Sequence, residues 1–203
     1  MSHETNNGKF KLLHKPTKTK MQVLSLVFVW IAIWNVIYQY LHGAGFLHFE
    51  IGGISLAVEN WAFFAAVTLF FMQEELSYKD RFWHTLCGGT VGLLLAGGVV
   101  ATVHLLMGKG LDHATAASIP LVIVVGALIL LHPYIPLFFN NVGFIYLIVA
   151  FVKSDVMLEN LPTYIFSLVL GSIILNLGCS VIITNFTKHA QKKALAKAAA
   201  EAK

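Results

Sequence analysis

From residue 82 to residue 152 the chain carries only two formally charged side chains, Lys109 and Asp112. A soluble domain places a charge on roughly one residue in four, so a stretch this long without them has no means of coating a water-facing surface. The whole chain repeats the pattern: 12% of its 203 residues are charged and 57% are hydrophobic, with a mean hydropathy of +0.74. This excludes a disordered chain, a nucleic-acid-binding domain and a disulfide-stapled secreted module, and it predicts an integral membrane protein. At about 20 apolar residues per crossing, the sequence has room for about six membrane spans and no second, soluble domain.

The basic residues give the expected orientation. Of 14 Lys and Arg, Lys9, Lys11, Lys15, Lys18 and Lys20 precede the first apolar run. Lys188, Lys192, Lys193, Lys197 and Lys203 follow the last, and Lys79 and Arg81 lie in the short polar segment 73–81. Cationic residues flanking short spans stay on the cytoplasmic side, which predicts that both termini and residues 73–81 are cytoplasmic. The organisation read from this is a basic cytoplasmic lead (1–20), a six-span transmembrane domain (21–187) and a basic helical cytoplasmic tail (188–203). The spans fall at 21–40, 54–72, 82–107, 114–131, 142–152 and 161–186, the fifth being short. Cys87 and Cys179 sit inside apolar runs without metal-ligand spacing and read as small core residues. Gly88-x-x-x-Gly92-x-x-x-Ala96, and more weakly Ser167-x-x-x-Gly171, place small residues on one helix face. In lipid such stripes let backbones approach closely, so Gly88, Gly92 and Gly171 are expected at helix contacts.

Laying residues 60–98 on 140–178 aligns Asn60 with Asn140, Phe64 with Phe144, Phe71 with Phe151, Leu95 with Leu175 and Gly98 with Gly178. With three spans between the copies, the expectation is a 3+3 inverted repeat, an architecture whose solute sites lie at interrupted helices near the repeat interface. The matching interruptions are 43–60 and 132–141, and each ends in a polar cluster: Glu59-Asn60 in the first, Asn140-Asn141 in the second.

The run Trp61-Ala62-Phe63-Phe64, the loop after Phe71, the glycines Gly88, Gly89 and Gly92, Gly143-Phe144, and the stretch from Asn160-Leu161-Pro162 through Leu168-x-x-Gly171 to Gly178 resemble the YcdZ-like family in order and spacing. The resemblance covers residues 61–178. It implies a small multi-pass protein of the bacterial inner membrane, in a family without an assigned function and grouped with larger exporters of aromatic acids. The longer basic ends and the charged segment 73–81 depart from the family pattern.

An ionisable group within a span costs roughly 2.5–3.5 kcal/mol or more and is a functional suspect by default. Glu59 is the one carboxylate inside an apolar run, with Asn60 beside it. Tyr146, Asn176 and Ser180 add polar groups on the later spans. His42 with His104 and His84 with His132 suggest paired haem ligands, but about 30 Å of helix between His84 and His104 puts both pairs at the headgroups. No nucleophile–base pair, phosphate loop or zinc spacing is present, so the chain reads as a non-enzyme without cofactor or metal. The leading expectation is a homo-oligomeric transporter or channel for a small solute, an organic acid or ion, with Glu59, Asn60, Asn140, Asn141, Tyr146 and Asn176 along its path. The alternatives are a non-transporting scaffold whose basic tails dock a cytoplasmic protein, and a haem or quinone redox subunit. Its partners are the lipid bilayer and the solute, with no nucleic acid.

Overall fold

The computed structural model describes residues 18–201 apart from residue 74; the expected basic lead, residues 1–20, lies largely outside them. The described chain is helical except for one hairpin: α1 (Lys18–Gly43), β1 (His48–Ile51), β2 (Ile54–Ala57), α2 (Asn60–Phe71), α3 (Tyr78–Gly108), α4 (His113–Leu131), α5 (Asn141–Val152), α6 (Ser154–Gly171), a π-helical segment (Ser172–Asn176) and α7 (Leu177–Glu201). Four helices are long and apolar enough to cross a membrane: α1, α3, α4, and the unbroken rod Ser154–Lys193 made by α6, the π segment and α7. The other two, α2 and α5, have 12 residues each. At about 1.5 Å per residue they are roughly 18 Å long, well short of an apolar slab about 30 Å thick.

Two helix starts differ most from the expected spans. The second apolar run does not start its helix at residue 54, because Gly52 and Gly53 at positive φ (60° and 81°) close a hairpin turn that pairs Ile51 with Ile54 and His48 with Ala57. The described fold is therefore helical with one small antiparallel pair rather than purely helical. Glu59 consequently stands outside α2, as the extended residue before its first turn. The last helix begins at Ser154, ahead of the span expected from 161, since Pro162 lies within the helix and residues 154–160 continue the same rod.

Each short helix is packed on a distant long one. The short α5 lies along α3, and α2 lies along α6 and the π segment; α3 and α6 also touch each other, α4 flanks α3, and α1 flanks α7. Glycine makes the two main crossings. A Cβ on Gly92 would overlap the carbonyl oxygen of Gly143, and a Cβ on Gly171 would overlap that of Phe63. One turn from the first crossing, a Cβ on Gly88 would collide with the side-chain amide of Asn140. The glycine stripes read from the sequence thus mark backbone-to-backbone contacts, and bulk at these positions has nowhere to go. The buried core runs along these lines through Leu93, Ala96, Leu147, Ala150 and Leu168, all fully buried. Large apolar side chains such as Phe28, Val122, Ile123 and Leu130 face outward, as they must where the surrounding medium is hydrocarbon.

The helix ends follow ordinary capping chemistry. Ser77 accepts a hydrogen bond from the Asp80 N–H at the start of α3 (3.2 Å), and Asp112 accepts one from the Thr115 N–H at the start of α4 (3.0 Å). Hydrogen bonds from Thr115 hold the Asp112 carboxyl below the usual carboxylate range. A depressed folded-state pKa contributes stability above the unfolded value that is lost as pH falls through the folded one; the exposed position of Asp112 keeps this contribution small.

Gly92 and Gly126 separate packing from propensity. Both lie inside helices, but a Cβ on Gly126 meets nothing within 4 Å. Gly126→Ala is expected to stabilise by about 0.5–1 kcal/mol through helix propensity, whereas Gly92→Val is expected to destabilise by about 1–3 kcal/mol or more through overpacking. Thermal unfolding of the two variants in detergent micelles checks the opposite signs.

Candidate functional site

The polar groups of the described chain gather at the start of α5. Asn140 is the cap of that helix: its Oδ1 accepts from the Gly143 N–H (3.0 Å). Its Nδ2 donates to the carbonyls of His84 (3.1 Å), Pro136 (3.1 Å) and Leu137 (3.2 Å). One side chain therefore closes the turn 132–140, caps α5 and ties both to α3. It can do so because Gly88 leaves room for the amide. Asn140 is buried, and these four bonds make it the residue that builds this corner of the fold.

Beside it lies a cavity of about 630 Å³, bounded by Gln73 and Glu75 after α2, His84 of α3, His132 after α4, and Asn140 and Asn141 of α5. A second, more apolar hollow of about 360 Å³ shares His132, Asn140 and Asn141 and continues along α4 and α5 past Leu128 and Phe144. His132 has Nδ1 at 2.6 Å from the Phe139 carbonyl oxygen. A carbonyl only accepts, so Nδ1 carries the proton, and Nε2 is the ring nitrogen left to act as acceptor. Gln73 is fixed by donating from Nε2 to the Leu69 carbonyl (3.1 Å) and to Thr85 Oγ1 (2.9 Å). Asn141 is exposed. It opens α5, where the Gly143 N–H is satisfied by Asn140 Oδ1 and the Phe144 N–H by the Asn140 carbonyl. The first amides of such a turn point outward as hydrogen-bond donors at the positive end of the helix dipole.

Glu59 and Asn60 are at the other end of α2 from this cavity. Glu59 is half-buried, its N–H donates to Ser167 Oγ (2.8 Å), and its carboxylate does not cap the helix. Around it α6 grips the hairpin: the Ala57 N–H donates to Thr163 Oγ1 (3.4 Å), and Ser167 Oγ lies 3.3 Å from the Ala57 carbonyl and 2.7 Å from that of Thr163. Tyr38 of α1 adds a bond from its hydroxyl to the Val58 carbonyl (2.7 Å). Asn60 is exposed. Tyr146 is a brace across the two short helices, its hydroxyl donating to the Ala62 carbonyl (2.9 Å) with its ring 5.9 Å from that of Trp61. Lys153, just past α5, sits 5.9 Å from the same Trp61 ring, so α2 and α5 lie side by side with opposite directions. The two polar clusters, expected to share one centre, are thus at opposite ends of this pair.

The histidines sort differently from the paired-ligand expectation. His84 and His132 share the large cavity, while His104 lies with His113 and Asp155 around a separate hollow of about 190 Å³; His42 stacks on Tyr38 at 5.7 Å. Among the described residues, no group of three or more metal-binding side chains comes together. Ser167 and Thr163 were not legible as functional positions. Ser167 reads in sequence as a small packing residue, and its spacing to Ala57 and Glu59 carries no signal. No family model, curated protein or solved structure matches this chain.

With Asn140 as the keystone of the turn, Asn140→Ala is expected to cost about 2 kcal/mol or more, from the lost cap and the lost hydrogen bonds to the part-buried carbonyls of His84, Pro136 and Leu137. Asn141→Ala is expected to cost less than about 0.5 kcal/mol, as an exposed substitution does. Unfolding midpoints of the purified variants test the contrast.

Proposed function

We propose that the chain is a carrier or channel for a small solute in the bacterial inner membrane, with a solute vestibule at the start of α5. The observation that carries this reading is the cavity of about 630 Å³ lined by Gln73, His84, His132 and Asn141, set among helices that bear no charge across their apolar lengths. Pockets of this kind, largely preformed and with a few convergent polar groups, are where small ligands bind. Membership of the YcdZ-like family, assembly as a homo-oligomer and the absence of enzymatic chemistry belong to the same proposal.

The six crossings are part of it. In this reading the hairpin with α2, and the turn 132–140 with α5, each complete a crossing that a 12-residue helix cannot make alone. Both termini and residues 73–81 are then cytoplasmic, and the vestibule opens to the cytoplasm. An inverted 3+3 repeat is supported by the packing. The two halves exchange their short helices, α5 onto α3 and α2 onto α6, and their flanking helices, α4 onto α3 and α1 onto α7. The residues that meet the crossing glycines, Phe63 and Gly143, are 80 positions apart, the same offset that aligns Asn60 with Asn140. Half-helices at a repeat interface are the usual address of a transporter's site.

In liposomes loaded with candidate organic acids and inorganic ions, His132→Gln and Asn141→Ala are expected to lower transport about tenfold each, the worth of one lost hydrogen bond of roughly 1.4 kcal/mol. Transport unchanged in both variants removes the vestibule as the site. Single cysteines at residues 79 and 109 are expected to react with an impermeant maleimide from the cytoplasmic and the outer face respectively; the reverse, or the same face for both, removes the topology.

A further inference from the structure

The rod α6–π–α7 contains a polar pair that the vestibule does not use. Ser172 and Asn176 open and close the π-helical segment, and both are fully buried. Neither Ser172 Oγ nor Asn176 Oδ1 and Nδ2 has a hydrogen-bond partner among the described residues. Three tryptophan N–H groups share that condition, but each is a single donor at the rim of a large apolar ring. Ser172 and Asn176 differ from them: the serine hydroxyl and the asparagine amide each present an unpartnered donor together with an unpartnered acceptor. Leaving a buried amide unpaired costs roughly 1–3 kcal/mol per group, which an apolar residue of the same shape would avoid.

The surroundings restrict what could satisfy it. The π segment packs on α2, α3 and α1 as well as on its own rod. No Lys, Arg, Asp or Glu occurs in residues 21–47, 60–71, 82–108 or 161–187. The charged residues of these elements lie at their ends, Glu59 before α2 and Lys79, Asp80 and Arg81 in the first turn of α3, and burying a charge in the apolar stretch between costs far more than burying a neutral polar group. The backbone itself departs from α geometry at this point: the Leu177 N–H donates to the Ser172 carbonyl, five residues back. Such π turns inside α-helices are frequent at functional sites. Ser172 and Asn176 are four positions apart, a spacing that places them on one face of the rod, and Ser172 directly follows the Gly171–Phe63 crossing.

We propose that Ser172 and Asn176 bind a small neutral solute group that offers a carbonyl acceptor and an N–H or O–H donor side by side, as an amide, a urea or an undissociated carboxylic acid does. The Asn176 amide pairs reciprocally with such a group, Nδ2–H to its carbonyl and Oδ1 from its donor, and Ser172 Oγ supplies a third bond. This deepens the solute-carrier reading and rests on it: it makes the transported species neutral at mid-rod, whatever its charge in the vestibule.

The test uses the full chain with urea as probe, in proteoliposomes followed by stopped-flow light scattering, alongside osmotic water flow. Asn176→Leu and Ser172→Ala are compared with wild type, and the unfolding midpoint of each is measured in detergent. The expected result is urea flow in wild type well above protein-free liposomes, reduced about tenfold or more in Asn176→Leu and less in Ser172→Ala. The unfolding midpoint of Asn176→Leu is expected to be unchanged or raised. A lowered midpoint shows that the amide is bonded within the protein and overturns the site, as does urea flow unaffected by Asn176→Leu. Reduction of water flow alone makes the pair a hydration point and also overturns it. Wild-type vesicles that move inorganic ions but neither urea nor an undissociated carboxylic acid such as acetic acid overturn this inference and leave the carrier reading standing, while vesicles that move no solute at all overturn both.

Discussion

The architecture depends on two places where helix backbones touch without side chains between them. At Gly92 against Gly143 and at Gly171 against Phe63, main-chain atoms come within van der Waals reach. Oil-like surroundings offer no hydrophobic reward for bringing helices together, so association relies on close packing and on hydrogen bonds between elements. Both are present at each crossing. Asn140 reaches from α5 to the His84 carbonyl beside Gly88. Ser167 and Thr163 reach from α6 to the hairpin within two turns of Gly171. The short helices, too small to be stable in isolation, are held by these paired devices.

The polar inventory divides by what has been spent. Asn140, Tyr146, Ser167, Thr163 and Tyr38 have their hydrogen-bonding capacity committed to fixing backbone. His132 and Asn141, beside the cavity at the start of α5, and the Asn176 amide in the rod keep capacity in hand. A residue flagged by its polarity in an apolar run is therefore only half described until the partners the fold supplies to it are known.

Periodicity and charge located every long helix and the stripes Gly88-x-x-x-Gly92 and Ser167-x-x-x-Gly171, because apolar run length and small-residue spacing are properties of a single helix. Which helix each stripe meets is not, and the exchange of α2 and α5 between long helices had to be seen. The hairpin was overlooked rather than illegible: Ile54–Ala57 is as apolar as the helix that follows, which masks the two-residue turn signal Gly52-Gly53 whose positive φ angles reverse the chain. Asn176 was visible as a polar position, but its neighbour Ser172 was not. The π turn that joins them arises from local backbone register, on which side-chain chemistry is silent.

The placement of α1 ties together the two ends of the described chain. Among the described helices the first, α1, finds its packing partner in the last, α7. Val27 and Tyr38 are its buried residues, Val23, Trp30, Ile31, Trp34 and Leu41 pack partly buried against the same cluster, and Tyr38 bonds to the Val58 carbonyl just past the hairpin that α6 holds. Of the described helices α1 therefore depends on the most distant stretch of chain for its packing, and loss of α7 would leave its docking face without its main partner.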